Sequence, residues 1–391
     1  MTQNQTIAKS PTRQPLQPSY ILRGHTAQVH SVLFLHNNLR LLSGDADGWV
    51  VLWDVPIKRP VAVWRAHKST ILGLGSWGES KIITHGRDSK LCVWQLQGDD
   101  DTLYSKVLPV DDAITDRTQP MLLHTLMVNT LNFCSFAVCH APPPTETPNN
   151  QTSSTPPSIH LAYPGVQDGQ IIVTELSSEE RIATIPEPKD IKTGMVMAIR
   201  LAYAQERDLT IIVGYESGHA CVWRRNPSSQ YWERIYTYQA HSQPILSLDL
   251  AISLGSFFTS SADAVIARHP LNAAGGKETK VIQTGHAGQQ GLTIRPDLKI
   301  FATAGWDGKG RVYSTKTMKE LAVLKWHKEG CYALAFAATD LEESHENGRT
   351  SDTGLVRREM TVSEQRTAAA KSTHWLAVGS KDGKISLWDI Y

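Results

Sequence analysis

Cysteine is sparse and scattered. The five residues, Cys92, Cys134, Cys139, Cys221 and Cys331, include no CxxC pair, which argues against a zinc site and gives no basis for a disulfide framework. Most lie in apolar runs such as LCVW and ACVW, where a reduced, buried thiol is expected. Long apolar runs are missing too: no stretch of about eighteen such residues occurs, and the opening MTQNQTIAKSPTRQPLQPSY holds no signal core. A soluble, intracellular protein without membrane contact is expected. Neither sign of charge dominates, with 39 Lys and Arg against 38 Asp and Glu, so no general nucleic-acid surface is implied. HExxH, GxSxG, a glycine-rich phosphate loop and a complete calcium loop are all absent. The nearest approach is SGDADGWVVLWD, Ser43 to Asp54, which begins like a calcium loop. It continues as a strand without the later acidic ligand. No catalytic residue, metal or cofactor is expected, and enzyme activity is not expected.

What the chain does contain is a repeat. His25, Asp47 and Trp53 recur as His67, Asp88 and Trp94, then as His241 with Asp263, His286 with Asp307, and His327 with Asp382 and Trp388. His to Asp is 22, 21, 22 and 21 residues in the first four, and Asp to the closing position is six in each. Two weaker copies, VQDGQIIVTEL and VGYESGHACVW, fill the gap after Trp94 and bring the count to seven. Within each unit, short runs of Val, Ile, Leu, Phe and Trp alternate with Gly, Asp and Asn, without helical period. About four strands in roughly 40 residues is the signature of a propeller blade.

The ends complement one another. The last unit stops three residues after Trp388, and SYILR, before His25, is a spare strand. Pairing the two closes the ring and removes an open edge. The expectation is an all-β, seven-bladed propeller over residues 18–391, preceded by a disordered tail at 1–17. Polar or disordered insertions are expected at 97–120, 142–158 and 338–373, outside the core.

The His, DG and Trp-Asp pattern resembles the WD-repeat family from about residue 18 to the C-terminus. That resemblance implies a hydrogen-bonded side-chain chain in each blade: His25, Ser43, Asp47 and Trp53 in blade one, and His67, Thr84, Asp88 and Trp94 in blade two. Asp47→Ala is then expected to cost stability, and Asp45 is left without a role. Blades three, four and seven carry Pro164, Val213 and Val378 at the hydroxyl position, and blades five and six end in His269 and Tyr313. These five are expected to rest on packing alone. The residues just before each turn Asp, namely Ala46, Arg87, Gln167, Glu216, Ala262, Trp306 and Lys381, are expected on the top face. Arg87, Glu216, Trp306 and Lys381 are the candidate partner contacts.

Two strong opening repeats (LRGHTAQVHSVLF, WRAHKSTILGL), weak blades with proline-rich insertions and the ending VGSKDGKISLWDIY are similar to the fungal ASTRA-associated WD-repeat family. That resemblance implies a nuclear, non-catalytic scaffold of the ASTRA assembly, linked to chromatin remodelling and to maturation of phosphatidylinositol-3-kinase-related kinases. Its partners would be other ASTRA subunits and the kinase-maturation chaperone machinery. A peptide or histone-tail reader and a G-protein β-like adaptor stay open beside it.

Overall fold

The computed structural model describes residues 16–97, 103–111, 117–129, 134–141, 158–203, 208–226, 231–272, 278–338 and 360–390. Seven four-stranded antiparallel sheets follow one another along the chain. Blade one runs from channel to rim as Val29–Leu35, Arg40–Asp45, Trp49–Asp54 and Arg59–Arg65. Its third strand, WVVLWD, is apolar on both faces because a neighbouring blade packs against each. Trp49, Val51 and Trp53 join the core shared with blade seven, while Val50 and Leu52 join the core shared with blade two. Strands sandwiched in this way lose the polar/apolar alternation of a half-exposed sheet.

Blade seven is completed as the chain ends require. Tyr20–Arg23 pairs antiparallel with Lys384–Asp389, Tyr20 facing Leu387 and Arg23 facing Lys384. Leu22, 3% exposed, sits in the same core as Val29, Trp53 and Leu387.

The expected tail 1–17 and the proline-rich 142–158 fall outside the described residues, apart from 16–17 and 158. The described part of 97–120 is more than an appendage beside the core. Residues 103–111 cross the outer strand of blade one, where the Val63 N–H donates to the Ser105 carbonyl at 2.9 Å. They then reach the seam, where the Val110 N–H donates to the Gly24 carbonyl at 3.0 Å and Leu108 packs on the core holding Leu22 and Trp53. This strap covers one edge and fastens another.

The third insertion, expected to be polar or disordered, contains a helix, Val362–Ser372, started by a capping box between Thr361 and Glu364. Both ends of the insertion return to one residue of blade one. Buried Asn38 donates to the carbonyls of Ala338 (2.8 Å) and Lys371 (3.2 Å) and accepts from the Ala338 N–H (2.7 Å). An amide side chain supplies both donors and an acceptor, so one asparagine serves all three bonds.

Because the ring closes without a covalent bond, the seam should limit stability. Leu22→Asp is expected to cost about 3 kcal/mol or more, and removal of residues 16–24 should cost more still. Thermal melting of the two variants checks this; an unchanged midpoint would show that the seam is not limiting.

Candidate functional site

Each blade's repeated residues meet where the loop entering the blade passes the turn between its second and third strands. In blade two the expected chain is present. The His67 ring lies 2.8 Å from the Asp88 carboxylate through Nδ1 and 2.8 Å from the Thr84 hydroxyl through Nε2, and the Trp94 indole donates to that hydroxyl at 2.8 Å. A carboxylate can only accept, so Nδ1–H donates to it; the hydroxyl can then donate to Nε2 while accepting from the indole. Every N–H and O–H along the chain then has an acceptor.

Blade one uses the other aspartate. His25 Nδ1 meets Asp45 at 2.7 Å and Nε2 meets Ser43 at 2.7 Å, with Trp53 on Ser43 at 2.8 Å. Asp45 is fully buried and also accepts the N–H groups of Asp47 and Trp49, each at 3.0 Å. The Asp47 side chain is exposed, so the assignment of Asp47 to the network is corrected to Asp45. The reason lies one strand end back. Asp45 occupies the place of Gly86 in blade two, where a Cβ would come within 2.3 Å of the His67 ring. A carboxylate can reach the imidazole from the strand end or from the turn, and one aspartate suffices.

The expectation of packing alone is overturned in four of the five remaining blades. In blade seven the hydroxyl has crossed the ladder. Val378 faces Ser386, the reverse of Ser43 facing Val51, and Ser386 contacts both His327 and Trp388 at 2.8 Å. Directly opposed residues share a sheet face, so either strand can supply the group. In blade five, His269 replaces tryptophan and extends the chain. His241 meets Asp263 (3.1 Å) and Thr259 (2.8 Å), Thr259 meets His269 (2.9 Å), and the far nitrogen of His269 meets Tyr236 (2.9 Å). Blade three has a turn one residue longer, which places Tyr163 rather than Pro164 at the hydroxyl position, 2.9 Å from Thr174. In blade six no bond from the His286 ring to Asp307 occurs among the described residues. Instead the buried Arg311 guanidinium takes the Asp307 carboxylate in two bonds, at 3.1 and 2.6 Å. Burial pushes the Asp307 carboxyl up, but the Arg311 hydrogen bonds and charge outweigh it and hold the group at about 2. In blade four Val213 faces Cys221, whose thiol lies 3.5 Å from the Thr237 hydroxyl, and the Arg234 guanidinium lies over the Trp223 ring.

The top-face positions share one geometry. Ala46, Arg87, Glu216, Ala262, Trp306 and Lys381 each donate a backbone N–H, at 2.8 to 3.1 Å, to the loop entering their own blade. No such bond from Gln167 occurs among the described residues; its longer turn closes on itself, the Gln170 N–H donating to the Gln167 carbonyl at 3.2 Å. Arg87, Glu216, Trp306 and Lys381 have exposed side chains, although Glu216 also accepts from the Met195 N–H at 3.1 Å. Trp306, 48% exposed, lies over Gly288, whose φ of +73° and missing Cβ make room for the indole, and it donates to Gln290 at 3.0 Å. It therefore packs and presents a surface at once. It stands at a central channel of about 670 Å³, beside the stacked rings of His30 and Tyr332. Deeper in the channel wall, Asp249 ties three blades together, accepting from Arg200 (3.1 Å) and from the Ile294 N–H (2.8 Å). Only the single acid in the strand LSLDL hinted at this link. Among the described residues no three His, Cys, Asp or Glu side chains gather as a metal site would need.

The family model described as ASTRA-associated protein 1 matches residues 18–388, which span the closure strand, all seven blades and both described insertions. The chain belongs to the ASTRA-associated protein 1 family. Relatives of that name are 49% identical in Verticillium alfalfae (96% of this chain, 93% of the relative), 45% in Aspergillus flavus (96% and 98%) and 31% in Schizosaccharomyces pombe (96% and 99%).

Two predictions follow for this member of the ASTRA-associated protein 1 family. Asp45→Ala should cost about 3 kcal/mol, since it strands a buried imidazole, while Asp47→Ala should cost less than about 0.5 kcal/mol; denaturant melts of both would decide. The second concerns pH. Burial pushes His85 and His269 down to about 3, helped by the charges of His67 and His241 respectively, and burial lowers His30, His160, His219 and His241 in the same sense. The unfolded chain takes up these protons near pH 6.5 and the folded chain only lower, so stability is complete above pH 6.5 and is lost as pH falls below it. Each fully buried ring contributes a slope of about 1.4 kcal/mol per pH unit. His269→Gln, which keeps a donor for Thr259, should lower the slope between pH 6.5 and 5 by that amount.

Proposed function

We propose that the protein is a non-catalytic scaffold subunit of the ASTRA assembly, acting in the nucleus in chromatin remodelling and in the maturation of phosphatidylinositol-3-kinase-related kinases. The observation that carries this reading is the match to the ASTRA-associated family over residues 18–388, on a ring whose His and Asp residues serve internal bonds. Support also comes from the exposed Arg87 and Trp306, side-chain types enriched at binding hot spots, held at equivalent turn positions. In this reading the partners are other ASTRA subunits and the kinase-maturation chaperone machinery, met through protein surfaces.

Affinity purification of the tagged full chain, with mass spectrometry of what accompanies it, is expected to recover those subunits. Recovery of histone peptides or of a γ-like subunit in their place would overturn the reading. Arg87→Ala and Trp306→Ala should each lower recovery about tenfold with little change in melting temperature; a lowered melting temperature with undiminished recovery would make them packing residues.

A further inference from the structure

Each blade has one outer strand with a free-standing backbone edge, blade one's being met by the strap, and six of the seven outer strands carry an ionised side chain that guards it. Arg59–Arg65, Glu180–Ile185, Trp232–Gln239, Lys280–Gln283, Glu320–Lys325 and Tyr20–Arg23 each contain at least one Lys, Arg or Glu. The exception is blade two, whose outer strand Met121–Met127 reads MLLHTLM. Two of its apolar side chains stand out on the face directed toward blade one, Leu122 at 49% exposure and Met127 at 70%, with exposed Thr125 between them. Its inner side is firmly held by pairing with Lys90–Gln95, and His124 bonds the Glu179 carboxylate of blade three at 2.6 Å. The strand is therefore a fixed, uncharged edge, and no backbone bond covers it among the described residues.

We propose that this edge docks an extended, uncharged segment of another subunit of the assembly, added as a fifth strand. Next door, an outer strand already takes a backbone bond from a segment beyond its sheet, where the strap crosses blade one and the Val63 N–H donates to the Ser105 carbonyl. Absence of charge defines the occupant. Strand addition here strands no ion in the new ladder, and apolar side chains of the incoming segment meet Leu122 and Met127. A second copy of this chain fits poorly, because seven residues, about 23 Å of edge, fall well short of the 20–30 residues a side that a stable interface needs. A segment of a partner anchored elsewhere on the ring has no such shortfall. The proposal rests on the scaffold reading above.

The test compares the tagged full chain within its purified assembly and alone, using amide hydrogen exchange over residues 121–127 together with a Thr125→Lys variant. Outward-facing amides should exchange about tenfold more slowly in the assembly, and Thr125→Lys should lower recovery of one identified subunit about tenfold without shifting the melting temperature. A photo-cross-linker at position 127 should capture an uncharged segment of that same subunit. Recovery of the full assembly with Thr125→Lys, or unchanged exchange, overturns the docking edge and leaves the scaffold reading intact. Absence of any ASTRA subunit from the wild-type preparation overturns both. Protection that appears in the chain alone and rises with concentration overturns the partner in favour of a second copy.

Discussion

An imidazole buried between a carboxylate and a hydroxyl joins four pieces of chain in one small volume: the loop entering a blade, its second strand, its third strand and the turn between them. In blades one and two an indole completes the set from the third strand. Each bond contributes about 1 kcal/mol net, yet loss of one member leaves the others buried and unpaired at about 1 to 3 kcal/mol each. That asymmetry makes the network a device for holding register. It also accounts for the substitutions around the ring. What must be kept is a satisfied set of donors and acceptors at one cross-strand position, so a serine can move to the opposing strand, a second imidazole can stand for the indole, and a guanidinium can take over the carboxylate.

The second constraint is closure. A ring of sheets joined end to end by four residues of strand needs its seam protected, and the segments between the regular elements serve that need. The strap from blade two presses Leu108 onto the core at the seam, and Asn38 gathers both ends of the blade-seven insertion onto blade one. Arg295 adds a further tie, donating from blade six to the carbonyl of Ile390 at 2.9 Å. Blades six, seven and one are thus bound together by groups lying outside the repeat.

Seven blades and the closing strand were legible in the chain because the periodicity of His, Asp and Trp, and the incomplete last unit, register at long range. The turn's backbone bond repeats at Ala46, Arg87, Glu216, Ala262, Trp306 and Lys381 for the same reason, since each stands just before the repeated turn position. Membership of the networks was less so. Counting along the chain chooses Asp47 over Asp45, Pro164 over Tyr163 and Val378 over Ser386, whereas the bonds are set by position across the ladder and by burial. DADG offers two acids to one ring, and only the depth of Asp45 separates them. The strap and Asn38 left no periodic trace, since each acts through a few bonds to backbone carbonyls and amides from a polar segment.

SGDADGWVVLWD is therefore architecture: Asp45, Ser43 and Trp53 bond within the blade-one network, and Asp54 pairs with Arg40 at 2.6 Å. The claim that Asp45, and not Asp47, joins the blade-one network is tested most directly by double-mutant cycles in equilibrium unfolding, pairing His25→Ala with Asp45→Ala and, separately, with Asp47→Ala. A coupling of about 2 kcal/mol is predicted for His25 with Asp45 and about zero for His25 with Asp47. Coupling to Asp47 with none to Asp45 would contradict the account.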